Sequence, residues 1–198
     1  MTGKWVTLGE TELGSNAASV TFGSLQPSTG TSGTHYDTIR VMWSANTSWA
    51  NYYDELALGI NASTYGWYYT ELLWCTGSQP YYVNTSGQNR SNKQYMVGAL
   101  MGGNSGNSAS SHGGGYIDLF GCFNNGTSVN DRIGFGSQSF APSTDGHGGY
   151  KATWSGGSGD KAAWGNNIYE IQIRTGSGSD LKSGSLFSVY GLRNEVTT

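Results

Sequence analysis

Apolar and polar side chains exchange places at every second residue along most of this chain, and that period restricts the fold more than any other feature. Ile39, Val41 and Trp43 fall on one side of a segment whose other side carries Thr38, Arg40 and Met42. Leu56, Leu58 and Ile60 do the same against Ala57 and Gly59. A backbone whose side chains alternate in this way is a half-buried β-strand. Further segments with the same rhythm are Trp5 to Glu12, Val20 to Leu25, Tyr65 to Cys75 and Tyr95 to Leu100. Others are Ile117, Leu119 and Phe123 in YIDLFGCF, Ile133 and Phe135 in RIGFGSQSF, and Tyr150 to Trp154. Near the end, Tyr169, Ile171 and Ile173 face away from Glu170, Gln172 and Arg174, and Leu186 to Leu192 closes the series.

Helical periodicity is confined to Trp49, Tyr52, Tyr53 and Leu56 after a possible Ser48 cap, a turn or two at most. Asn125-Gly126 is a tight-turn signal and predicts a hairpin between the strands on either side of it. Many short strands with turn chemistry between them predict an all-β fold, an antiparallel β-sandwich of jelly-roll type with very little helix. With 198 residues the chain can bury roughly 70% of its unfolded surface in one core, and no repeat or linker divides it, so a single domain over residues 1–198 is expected. Three low-complexity stretches, 26–34, 77–93 and 102–115, read as Gly/Ser/Asn-rich surface loops.

Aromatics are expected to replace aliphatics as core material. Twenty-six Trp, Tyr and Phe residues, each able to bury about 150 to 250 Å², offset a shortage of aliphatics and 32 glycines. Charged residues are only 12% of the chain and the formal net charge is −3. Ten Lys plus Arg set against thirteen acids provide no basic face to displace counterions from phosphate, so nucleic acid is not an expected partner. The opening MTGKWVTLGE lacks the apolar stretch of a secretory leader, and the longest apolar run, around Leu72 to Cys75, is too short to cross a membrane. Cys75 and Cys122 are expected as buried thiols rather than a disulfide.

Templates for catalysis fail individually. There is no G-x-S-x-G elbow, and His35, His112 and His147 stand far apart. No H-E-x-x-H, C-x-x-C or calcium-loop spacing occurs, so no metal and no cofactor are expected. The cluster Gly176-Ser177-Gly178-Ser179 lacks the lysine and helix of a phosphate cradle and reads as a turn. Glu71 and Glu170 are the carboxylates a glycoside hydrolase would need, but Glu170 fits better as the exposed side of a strand beside Arg174. No enzyme is expected. Five N-x-S/T sequons, at Asn46, Asn61, Asn84, Asn89 and Asn125, are explained by composition.

Aromatic placement points instead to a partner. Most of Trp43, Trp49, Tyr52, Tyr53, Tyr65, Trp67, Tyr68, Tyr69 and Trp74 should be core. Adjacent Tyr68-Tyr69 and Tyr81-Tyr82 must face opposite sides if they lie in strands, so one of each pair needs a second surface to cover it. Candidate contacts with a partner or a glycan are Trp49, Trp67, Tyr68, Tyr81 and Tyr82, together with the neutral loops and the terminal segments Met1 to Gly9 and Arg193 to Thr198.

Five segments occur in an order that resembles small phage virion proteins described as tail-fibre-like or capsid-decorating. They are TLGETELGSNAASVTFGSL, YDTIRVMWSA, DELALGINASTYGWYY, YIDLFGCFNNGTSVNDRIGFGSQSF and NNIYEIQIRTGSGSDLKSGSLFSVYGLRN, and they span nearly the whole chain. The resemblance implies a β-sandwich subunit of a phage particle, made in the host cytoplasm and displayed on capsid or tail as an oligomer, with a homotrimer expected. Its partners would be the major capsid protein or other virion subunits, copies of itself and possible host glycans. It supplies no catalytic residues. The chain departs from the pattern in the longer 77–93 and 102–115 segments and in its many tryptophans.

Overall fold

The computed structural model describes residues 3–26, 35–50, 53–61, 68–76, 79–90, 96–102, 112–122, 132–142, 150–160 and 167–194. Among these there are twelve strands and no helix. In chain order they are β1 (Gly3–Glu12), β2 (Ser19–Phe22), β3 (Thr38–Ala45), β4 (Tyr53–Ile60), β5 (Tyr68–Thr76) and β6 (Gln79–Arg90). They continue as β7 (Met96–Gly102), β8 (Gly113–Phe120), β9 (Arg132–Pro142), β10 (Tyr150–Asp160), β11 (Ile171–Thr175) and β12 (Leu186–Asn194). For β5, β6, β7 and β10 the description is of backbone and pairing.

All pairings are antiparallel and form two sheets, one of eight strands in the order β1-β12-β3-β8-β9-β10-β5-β6 and one of four in the order β2-β11-β4-β7. If the hairpins β5–β6 and β9–β10 are set aside, the remaining eight strands cross from one sheet to the other at every step except β4 to β7, which pair within the small sheet, and they leave two four-stranded layers, β1-β12-β3-β8 and β2-β11-β4-β7. That winding is a jelly roll. Both extra hairpins join the same sheet beyond β8, which makes it twice as wide as its partner.

The predicted alternation explains the layers. In β3, Ile39, Val41, Trp43 and Ala45 are buried while Met42 and Ser44 are exposed. Ile117 and Leu119 of β8, Phe187 and Val189 of β12, and Phe135 of β9 point the same way. Against them stand Val20 and Phe22 of β2, Leu56, Leu58 and Ile60 of β4, and Ile171 and Ile173 of β11. Each such side chain contributes about 1.5 to 3 kcal/mol by leaving water. In β4 the alternation does not mark exposure, because Ala57 and Gly59 are buried as well. They belong to an inner strand, flanked by β11 and β7.

Several expectations need correction or relocation. The stretch 77–93 is not a loop, since it contains β6, which pairs with β5 at the margin of the large sheet. Hydrogen bonds from one neighbouring strand suffice to hold a polar, glycine-containing segment extended. The same reason extends β10 through Ser155 to Asp160, where Gly156, Gly157 and Gly159 are paired on both sides. The helical signal at Tyr53 to Leu56 is strand. The β8 and β9 strands around Asn125-Gly126 pair antiparallel as a hairpin requires, while the turn itself lies outside the described residues. So do most of 26–34 and 102–115, and His147 and Phe123.

Polar links close the ends of the sandwich. At one end the loop after β1 and the 176–185 loop are joined by Leu13 N to Ser185 O at 2.9 Å, Gly184 N to Leu13 O at 2.7 Å and a reciprocal Ala17–Leu181 pair. The loop after β3 joins them through Ser48 N to Asp180 O at 2.8 Å and Lys182 N to Asn46 O at 2.9 Å. At the other end, Asn61 adopts positive φ and its amide receives Tyr169 N and Glu170 N and donates to Asn167 O. Gln26 bridges the Tyr36 amide and the Cys122 carbonyl, and the buried Cys122 thiol donates to Leu119 O at 3.1 Å.

Gly191 of β12 accounts for the glycine in the terminal YGLRN. A Cβ there would strike the ring of buried Tyr36. Gly191→Ala is therefore expected to destabilise the fold by about 1 to 3 kcal/mol through overpacking, measured by urea unfolding against the parent chain.

Candidate interaction face

The register across the large sheet sets which side chains share its outer side, away from the four-stranded layer. One row runs Trp5, Leu192, Thr38, Phe120, Gly134 across β1, β12, β3, β8 and β9. The next inward rows are Tyr190, Arg40, Asp118, Gly136 and then Ser188, Met42, Tyr116, Gln138. A fourth runs Leu186, Ser44, Gly114, Phe140. Six large apolar side chains are exposed among the described residues, and five of them, Trp5, Met42, Phe120, Phe140 and Leu186, lie in this one array. Their exposures range from 37% to 47%. Arg40, Asp118, Ser44 and Gln138 lie between them, and a sheet side with this many exposed large apolar groups is a candidate contact site.

At the centre of the array Arg40 and Asp118 form a bidentate ion pair, with Nε to Oδ1 at 2.6 Å and Nη2 to Oδ2 at 2.7 Å. The guanidinium also lies 4.8 Å from the Trp5 ring centroid and 4.6 Å from that of Tyr116. Two π-faces and a carboxylate thus fix one cation, a combination for which arginine's planar fork is suited and lysine's point charge is not. The hydrogen bond to Asp118 raises the already high Arg40 pKa, against a smaller lowering from burial. Tyr116 is held in turn through its hydroxyl, 3.3 Å from Gln138 Oε1. The result is a preorganised, electrically neutral platform with apolar groups around it.

A second built feature is the carboxylate of Asp54 at the start of β4, only 4% exposed. It accepts Ser177 Oγ at 2.6 Å, Ser179 Oγ at 2.9 Å and the Glu55 amide at 2.8 Å. Gly176 fits against Glu55 where a Cβ would be too close, and Gly178 has φ +80°, a conformation that favours glycine. The Gly176–Ser179 segment is a turn as expected, and its serines serve to solvate a buried acid. No group of three or more His, Cys, Asp or Glu is placed to hold a metal among the described residues.

The residues singled out from sequence fall in different places. Trp49 is 42% exposed in the loop after β3. Trp67 lies outside the described residues, and Tyr68, Tyr81 and Tyr82 belong to β5 and β6, the last two strands at the margin of the large sheet opposite β1. Glu71 is in β5 of the large sheet, whereas Glu170 precedes β11 of the small one. Arg174 donates to Gln172 at 2.7 Å. His35 and His112 are at opposite ends of the described set of loops, before β3 and before β8. Cys75 is paired in register with Ala152, and its side chain is outside the description.

Apart from Trp5, which lies in the Met1 to Gly9 segment, the outer array was not singled out from sequence, yet its signal is there. Once Ile39, Ile117 and Phe135 are assigned inward, strand parity sends Met42, Phe120 and Phe140 outward, and a large apolar residue on the polar side of a strand calls for a partner. Comparison of the chain with family models, with curated proteins and with solved structures finds no match.

Replacing Asp118 with Ala would leave Arg40 between two rings without its counter-ion. Loss of two charge-assisted hydrogen bonds at this half-buried position is expected to cost about 1 to 3 kcal/mol. Chemical denaturation would register it, accompanied by a change in the Trp emission spectrum as the Trp5 environment loosens.

Proposed function

We propose that the chain is a structural subunit of a phage virion, a capsid decoration or cement protein that binds the coat shell as a homo-oligomer. The observation that carries the reading is the concentration of exposed large apolar side chains on one sheet face around a neutral Arg40–Asp118 centre. Such a face suits permanent contact with other subunits rather than turnover of a small molecule. Many identical copies, each adding a modest interface, would hold a shell together by avidity.

Two further facts support it. Jelly rolls serve as viral capsid domains, although lectins use them too, so the fold alone does not decide. The five segments that resemble phage virion proteins cover β2, β3, β11 and β12 in full, β4 from Asp54, and parts of β1 and β8, so they reach seven of the eight strands of the jelly-roll winding. The departures from that pattern fall on β6 and on the connection between β7 and β8.

Trp49 favours a second reading, a tail or fibre module that binds host-surface glycans. Its exposed indole sits on a loop fastened to the 176–185 loop by backbone hydrogen bonds, a firm position for stacking on a sugar ring. Quantitative mass spectrometry of purified particles encoding the chain separates the two readings. Decoration predicts a copy number on the order of that of the coat protein, in the hundreds. A few copies per particle, with glycan-array binding that disappears in Trp49→Ala, would select the fibre module, and absence from the particle would overturn both.

A further inference from the structure

We infer that the outer face of the large sheet is a self-association surface, on which a second copy of this chain stacks face to face about a two-fold axis. The inference concerns which surface pairs and with what symmetry, and it stands whether or not the assembled protein decorates a virion.

The area is sufficient. The five strands β1, β12, β3, β8 and β9, about 4.8 Å apart and each presenting some seven residues at about 3.4 Å, give a face of roughly 570 Å². Two such faces in contact cover roughly 1,100 Å² in total, above the ~1,000 Å² that a specific interface should clear. The described part of that face has the anatomy of an interface centre. Met42, Phe120 and Phe140 are apolar and exposed, and the one charged pair among them is neutralised within the chain by the 2.6 Å Arg40–Asp118 contact. Glu10 and Glu12 are on exposed positions at the β1 margin, where a polar rim belongs. Because Arg40 and Asp118 already satisfy each other, the centre of the face asks no complementary charge of a partner, and the identical centre of a second copy meets that condition.

Other occupants fit less well. A sugar would need free aromatic faces with polar handles, but Trp5 and Tyr116 each give a face to Arg40, and the remaining exposed groups are Phe, Met and Leu. An anionic membrane would meet Glu10 and Glu12 at the margin. Pairing edge to edge along β1 is opposed by exposed Lys4, Glu10 and Glu12 on that terminal strand. A sheet face that meets its own copy is an isologous contact, which closes as a dimer, whereas a trimer requires two different surfaces.

Sedimentation velocity of the full chain from about 1 to 100 µM tests this. The parent is expected to be dimeric in the micromolar range. Met42→Asp combined with Phe120→Asp should weaken the dimer by about 100-fold or more, while Trp49→Ser leaves it unchanged. Ser44→Arg places a large cation on the same face at an exposed serine without removing any core contact, and it should dissociate the dimer even if the double variant does not fold. A parent that is monomeric at 100 µM, a parent that is trimeric, or a dimer that survives Ser44→Arg in a folded protein overturns the inference.

Discussion

Register through the centre of the large sheet is the constraint on which the rest depends. Strand β3 lies between β12 and β8, and a slip of one residue against either would send Ile39, Val41 and Trp43 into solvent and Arg40 and Met42 into the core. Two local devices oppose such a slip. Arg40 meets Asp118 directly across the β3–β8 pair, so the ion pair forms only in one alignment. Gly115, opposite Trp43, leaves no room for a side chain against Gln138 and Ser139 of β9. The polar and the steric device specify the same pairing, which is what allows the two sides of the sheet to have different uses.

Those uses are divided cleanly. Toward the small sheet the large one contributes Ile117, Leu119, Phe187 and Val189 to an apolar core shared with β2, β4 and β11. Outward it displays the Trp5–Arg40–Tyr116 stack and exposed Met42, Phe120 and Phe140. The extra hairpins β5–β6 and β9–β10 widen this outer side without lengthening the small sheet. The additional chain length widens both sides of the large sheet, and strands β5, β9 and β10 of these hairpins also contact β7 of the small one.

The strand period made the fold class legible from sequence because each core strand buries alternate residues against one partner layer. Ile39 to Trp43 and Ile171 to Ile173 lie as that period requires. The β6 strand was illegible because QPYYVNTSGQNR has little alternation of its own, and its extended form comes from pairing with β5. Half of the candidate site was visible in the same way. Parity places Arg40 and Met42 outward together, but the encounter of Arg40 with Trp5 depends on β1 and β3 being brought to either side of β12, a long-range arrangement that no local pattern encodes. The Asp54 cradle was hidden for a similar reason, since its serines come from a turn 123 residues away in the chain.

Hydroxyl-radical footprinting of the protein at low and at high concentration, read residue by residue, tests the central claim most directly. If the outer face of the large sheet is where this chain meets its neighbours, Trp5, Met42, Phe120 and Phe140 lose reactivity together as concentration rises while Trp49 keeps its own. Constant reactivity across that face, with protection at Trp49 or elsewhere, would contradict the account.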